Sequence, residues 1–437
     1  MLLRKTSAPC ALLACLLILA DGIRWSTAAA TDAPPPPRHS VDQSWPQRWT
    51  EHLDNDVLPF WTAQTTKSAS LVSRLRTLHV LAIAISREPD AAIRQRLQEK
   101  FEYGLAETIS QFHDPHSGDW RSSATVADAP GNPKSTADQA WASLLLADIH
   151  LRVRHETSLR LARATLARID SLAHDGKHGG YFLSYPANEC TRNGHESSRK
   201  HAPTQLHVLL ALANLHLANP QDTLIRARLE ELLLHIPRFV SPESGHVRWA
   251  LARDWTPADF ERPINNQTLY GQNAETITYL LAAQAALDRP RGDILPLLEK
   301  IARGLIRDGI SPEGAVYYLG PMNGPATDQR IWWWPQVETA AALWQLHQIT
   351  GNNIYRETFD KVSAWTFSHF IPPENPGRWH TLRTAGGQPP PRADAVAASE
   401  LQTGFHVARC ILAIKEKRHP ARPGDPGFSE RVQTTCH

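Results

Sequence analysis

Between residues 41 and 417 apolar residues recur at helical spacing, and the stretches they mark alternate between two kinds. One kind is apolar on nearly every side: TLHVLAIAI, WASLLLADI, LHVLLALANL, TITYLLAAQAAL, ETAAALWQL and FHVARCILAI. The other carries a charged stripe, as in DTLIRARLEELLLHI. A helix that is apolar all round must be covered on all sides, whereas a striped one faces water. The pattern predicts twelve helices, at 41–62, 68–86, 91–110, 135–155, 158–174, 200–218, 221–237, 269–288, 292–308, 333–350, 353–370 and 395–417. Pro89-Asp90, Asn219-Pro220, Arg289-Pro290 and Gly351-Asn352 supply breaks between them. Inner and outer helices alternating through short turns predict an all-α fold: an (α/α)6 barrel, six helical hairpins closed into a double-layered toroid.

A period supports closure. Gln139, His207, Gln272, Glu338 and His406 follow one another at intervals of 65 to 68 residues, and a fixed period marks a repeat architecture. The long loops, 176–200, 241–268, 309–332 and 372–394, each join an outer helix to the next inner one. They therefore leave the toroid at one end, where a functional pocket is expected. GGYFLSYP and GAVYYL read as short strands in these loops. His113-Asp114-Pro115-His116 and the run from His174 to His178 read as turns that end helices, not as metal sites.

Composition narrows the classes. Hydrophobic residues make up 42% of the 437, enough for a large core, and the formal net charge of +2 leaves no nucleic-acid footprint. Fourteen tryptophans suit stacking on sugar rings as well as core packing. Arg4 and Lys5, the apolar run 11–20 and Ala28-Ala29-Ala30 have the layout of an export signal cleaved near Ala30. The domain plan is thus a signal peptide at 1–30, a Pro-rich linker at 31–40, the barrel at 41–417 and a loose tail at 418–437. No later segment is apolar and long enough to span a membrane. An export signal implies a periplasmic or secreted protein. Without Cys10 and Cys15, a Cys190–Cys436 bridge remains open, and Cys410 reads as a buried thiol. No cysteine pair has zinc-ligand spacing.

The inner helices carry polar residues where burial penalises them: Arg76, Gln139, His207, Gln272, Glu275, Gln336, Glu338, His406 and Arg409. Most lie near the helix starts, so they are expected to converge on the axis. Taken singly, each histidine reads as a satisfied core residue, and Glu338 reads equally well as a bridge between helices. Arg409, three residues from His406, shares its face and can orient it. Of Trp332, Trp333 and Trp334, at least one is expected to line the mouth as a sugar platform.

These segments resemble the N-acylglucosamine 2-epimerase superfamily, which includes cellobiose 2-epimerases and aldose–ketose isomerases. The likeness runs from about Leu58 to Lys415 through LPFW, RTLHVL, HGGYF, KHAPTQLHVLLAL, WWPQVET, TGNNIYRE, GRWH and GFHVARC. It implies a ring of six helix pairs, a mono- or oligosaccharide substrate, Arg76 as a sugar-binding residue, a functional His207 and His406 as catalytic base. Two positions depart from the family pattern. YGQNAE carries Gln272 where the family has a second acid/base histidine, while Glu275 is kept, and Leu401 stands where a tryptophan is common. Glutamine does not titrate, so it cannot be a base.

The expectation is a carbohydrate isomerase or epimerase acting by proton abstraction beside a sugar carbonyl, without metal or organic cofactor. Its catalytic residues would be His406, His207 and Glu275; Arg76, Gln272, Trp333, Trp334, Glu338 and Arg409 would bind substrate. A glycan-binding protein that has lost catalysis, or a lyase or hydrolase using Glu275 and Glu338, are the alternatives. The sequence leaves monomer and homodimer open.

Overall fold

The computed structural model describes residues 43–64, 68–125, 133–185, 199–258, 263–391 and 404–415. The expected signal peptide, linker and tail, Leu401, Cys190 and Cys436 lie outside these residues. All twelve expected helices are present. Helix α1 comprises Trp45–His52, a π turn at Leu53–Val57 and Leu58–Ala63. Then follow α2 (Leu71–Arg87), α3 (Ala91–Phe112), α4 (Thr136–Val153), α5 (Glu156–Ala173), α6 (Ala202–Ala218), α7 (Thr223–His235), α8 (Tyr270–Ala286), α9 (Leu295–Gly304), α10 (Trp333–Thr350), α11 (Asn353–His369) and α12 (Phe405–Lys415). No helix among the described residues is long and apolar enough to cross a membrane.

The even-numbered helices form a closed inner ring. Helix α2 packs on α4, α4 on α6, and so on to α12, which returns to α2. The odd-numbered helices make the outer layer, α3 against α2, α5 against α4, and α1 against α12. Burial follows this division. Every residue of α8 from Tyr270 to Leu281 is buried, whereas α3 buries five residues on one stripe. Outer helices α3, α7 and α11 begin on side-chain caps: Asp90, Asp222 and Asn352 accept from Ile93, Ile225 and Ile354 backbone N–H groups at 2.9, 3.1 and 3.1 Å. Trp49 closes the outer seam by donating its indole N–H to Ser363 Oγ of α11 at 3.0 Å.

Inner helices α6, α8 and α10 have no side-chain cap and instead continue short strands. Four two-stranded antiparallel sheets pair the strand before an inner helix with one in the following long loop. They are β1 (Lys134–Ser135) with β2 (Ser184–Tyr185), β3 (Arg199–His201) with β4 (Ala250–Ala252), β5 (Gln267–Leu269) with β6 (Leu319–Pro321), and β7 (Ile331–Trp332) with β8 (Leu382–Arg383). All four sit at the N-terminal end of the inner ring. The two histidine-containing runs are the turns expected. Gly118 and Gly179 take φ of +75°, and their N–H groups donate to the Asp114 and Asp175 carbonyls at 2.8 and 2.7 Å. Gly245 and Gly314 repeat the turn after α7 and α9.

Candidate active site

Counting from the start of each inner helix sorts its polar residues into layers. Fourth residues are clamps. Gln139 accepts from the Trp120 N–H at 2.9 Å and donates to its carbonyl at 2.8 Å; Gln205 treats Tyr181 the same way, at 2.9 and 2.7 Å. Asn273 accepts from the Val247 N–H at 2.8 Å. Gln139 therefore does not line the axis as expected. It sews the returning loop to the inner ring, because two backbone groups there would otherwise be buried without partners. Gln336, another fourth residue, accepts from the Thr366 hydroxyl at 3.2 Å.

Sixth residues form the hub: Arg76, Trp141, His207, Glu275 and Glu338, from α2, α4, α6, α8 and α10. Helix α12 adds His406. His207 packs on Trp141 with ring centroids 4.4 Å apart, and the Arg76 guanidinium lies over Trp141 at 4.3 Å and Phe405 at 5.3 Å. Opposite them, His406 Nδ1 is 2.7 Å from Glu338 Oε1 and 4.0 Å from Glu275 Oε1. Arg409 Nη2 donates to the other Glu338 oxygen. The Tyr279 hydroxyl donates to Glu275 at 3.5 Å. Trp334 is half-buried with its ring 5.8 Å from that of His406, and Gly271 makes room for it: a Cβ there would lie 2.3 Å from the indole.

The environment fixes the charges. Burial alone would raise the Glu338 pKa, but Arg409 and the hydrogen bond to His406 outweigh it and hold the carboxylate ionised. Burial, reinforced by the neighbouring Glu338 charge, pushes Glu275 up to about 8, so it is largely neutral at pH 7. Burial lowers His406 to about 4 against the pull of Glu338, and lowers His207 to about 3 with help from Arg76. Both imidazoles are therefore neutral at pH 7. In neutral His406 the Nδ1 proton is assigned to the bond with Glu338, which leaves a lone pair on Nε2.

The sequence-derived candidates divide accordingly. His406, His207, Glu275, Arg76 and Trp334 meet at the hub. Glu338 is fully buried, with one oxygen engaged by His406 and the other by Arg409, so neither oxygen is free of a protein partner. Trp333 is buried beside Trp332, the rings tilted with centroids 6.1 Å apart, whereas Trp334 is half-buried beside His406. Gln272 is buried, and its amide nitrogen has no hydrogen-bond partner among the described residues. Trp141 and Phe405 were missed, because an aromatic residue in an apolar run reads as core. Glu275, Glu338 and His406 each offer a ligand atom, all within 4.8 Å of one another. Among the described residues they are the group that could hold a divalent cation, and Arg409 competes for Glu338.

The family model for N-acylglucosamine 2-epimerase (GlcNAc 2-epimerase) matches residues 62–410. The chain belongs to this family. That membership puts it among carbohydrate epimerases and isomerases, and the toroid is shared by solved structures. A cellobiose 2-epimerase from Bacillus thermoamylovorans is similar at 17% identity and a TM-score of 0.72, over 86% of this chain and 99% of that one. A D-mannose isomerase matches at 16% identity and 0.71, over 86% and 99%. A GH76 α-mannanase from Bacteroides thetaiotaomicron aligns at 11% identity and 0.56, over 84% and 94%, so hydrolases use the same scaffold.

Proposed function

We propose that the protein isomerises a sugar by moving the proton beside its carbonyl, with His406 as the base. The observation that carries this reading is the 2.7 Å bond between His406 Nδ1 and Glu338. It fixes the tautomer, orients the ring and stabilises the imidazolium formed when Nε2 takes a proton. Arg76 is the cation suited to polarise the carbonyl oxygen as the enediolate develops. Neutral Glu275 can donate to the hub, and neutral His207 can hold a hydroxyl.

Epimerisation at C2 needs a proton delivered to the opposite face, which calls for a second titrating group. Gln272 is not one. A 1,2-isomerisation needs a single base that takes the C2 proton and returns it to C1 on the same face of a cis-enediol. The reading therefore favours an aldose–ketose isomerase over a 2-epimerase. The layout of residues 1–30 supports export, so the substrate would be met outside the cytoplasm. Gln272 also favours a second reading, a glycan-binding protein without turnover. A hydrolase is disfavoured, because a retaining or inverting pair needs two carboxyl groups facing substrate and Glu338 is spent on His406 and Arg409.

The test is proton NMR in heavy water with D-mannose, N-acetylated hexosamines and cellobiose. Loss of the C2–H signal, with ketose formation from D-mannose or cellobiose, abolished in His406→Ala, is expected. Tight binding without exchange would select the second reading.

A further inference from the structure

One buried carboxyl near the hub has no part in the chemistry above. Asp138 is the third residue of α4, the same place in its helix that Gln272 holds in α8. It stands one turn nearer the mouth than Trp141 and is 6% exposed. In sequence it is hidden by a bland role: Ser135-Thr136-Ala137-Asp138 has the pattern of a capping box, in which an acidic side chain turns back to the cap. The structure makes only half of that box. Ser135 Oγ accepts from the Asp138 N–H at 3.3 Å, but the Asp138 carboxylate turns away, and its Oδ2 accepts from the Ser122 hydroxyl of the loop after α3. Its other oxygen has no hydrogen bond among the described residues.

We propose that Asp138 is a substrate-binding residue whose free carboxylate oxygen accepts a sugar hydroxyl beside the one held by Arg76. Three observations converge on it. A largely buried carboxylate whose second oxygen accepts no bond from the described residues keeps acceptor capacity for a ligand donor. The Arg76 guanidinium of α2 lies 4.3 Å over the ring of Trp141, one turn along α4 from Asp138, and is the charged group that acts on Asp138, so an acceptor and a donor of opposite charge are set close together, the arrangement that grips adjacent hydroxyl groups. Asp138 holds in α4 the third position that Gln272 holds in α8, at the helix start, the end of the ring from which the long loops leave. From the loop after α3 the Ser122 hydroxyl donates to it, and Arg76 of α2 is the charged group that acts on it. Burial, partly offset by Ser122 and Arg76, brings the Asp138 carboxyl up to about 6. Sugar binding should then weaken as pH falls through 6, when the acceptor becomes protonated.

This inference rests on the reading of the hub as a sugar site, and binding is measured separately from turnover for that reason. Asp138→Asn keeps the size and an acceptor for Ser122, so the fold is retained. Saturation-transfer NMR and isotope exchange are run with D-mannose and cellobiose between pH 5 and 8. For Asp138→Asn we expect KM or Kd to rise at least tenfold, kcat to change less than threefold, and the weakening below pH 6 to disappear. Ser122→Ala, which removes a bond favouring the ionised form, should move that acid limb to higher pH. A purely structural role would leave both pH profiles as in the wild type. Unchanged KM or Kd and an unchanged acid limb in Asp138→Asn would overturn the assignment. If the wild type binds a sugar but exchanges no proton, the proposed chemistry fails while the Asp138 comparison still reads on binding. If neither sugar binds the wild type, both are overturned.

Discussion

Replacing Glu338 with glutamine tests the hub most sharply. The carboxylate receives two donors, His406 Nδ1 at 2.7 Å and Arg409 Nη2, and it is wholly shielded from water. An amide keeps the volume but offers one accepting oxygen for two donors, and its own NH2 group faces one of them. Two consequences follow. Arg409 becomes a buried cation without its counter-charge, a change that costs about 3–5 kcal/mol when one partner of a buried pair is removed. His406 can also turn to the tautomer with its proton on Nε2, which disables the base, and a wrong tautomer in a comparable dyad costs roughly 10⁴ in rate. The assay pairs urea unfolding with C2–H exchange in heavy water. A companion variant, Glu338→Leu with Arg409→Met, removes both charges. It should recover most of the lost stability, since apolar replacement of a buried pair is often neutral, yet remain at least about a hundredfold slow in exchange. A Glu338→Gln protein as stable as the wild type and within tenfold of its exchange rate would refute the role given to this pair.

Three further changes follow from the same geometry. Glu275 has its pKa raised by burial and by Glu338, so the unfolded chain loses this proton at lower pH than the folded one, and the group costs stability progressively from the ordinary carboxylate range up to about 8; Glu275→Gln should flatten that decline in urea midpoints, and an unaltered pH profile would show Glu275 ionised in the folded state. Gln139→Leu strips partners from the buried Trp120 N–H and carbonyl and should cost about 2–4 kcal/mol without changing KM; a drop below about 0.5 kcal/mol would sink the clamp assignment. Gln272→His introduces a titrating ring at the start of α8, and product analysis by NMR should then find C2 epimer beside ketose, whereas an unchanged product ratio would place Gln272 away from the proton's path.

The toroid was legible because its signal is redundant. Apolar runs such as TITYLLAAQAAL and striped runs such as DTLIRARLEELLLHI report burial over many residues, so errors of a residue or two at each end do not matter. The hub needed finer resolution. Gln139, Gln272 and His207 share a period of about 66 residues, yet they are the fourth, third and sixth residues of their helices and serve three purposes. Loops of slightly unequal length blur one helical turn, and only the fold restores the register. Chemistry was legible where a polar group sat in an apolar run, as with Arg76, Glu275 and His406. It was illegible where the bland role was a good one: Trp141 as core, Asp138 as a cap. The partnership of Glu338 with Arg409 joins α10 to α12 across 71 positions, a separation that no local pattern encodes.

The most direct measurement is a crystal structure with a non-reacting hexitol such as mannitol soaked into the hub. The account predicts that C2 of the alditol lies within about 3.5 Å of His406 Nε2, the reach of a productive proton transfer, with Trp334 along one face and Arg76 on the oxygen at C1. Ordered alditol bound away from His406, or with Nε2 turned toward Glu338 and Nδ1 toward the sugar, would contradict it.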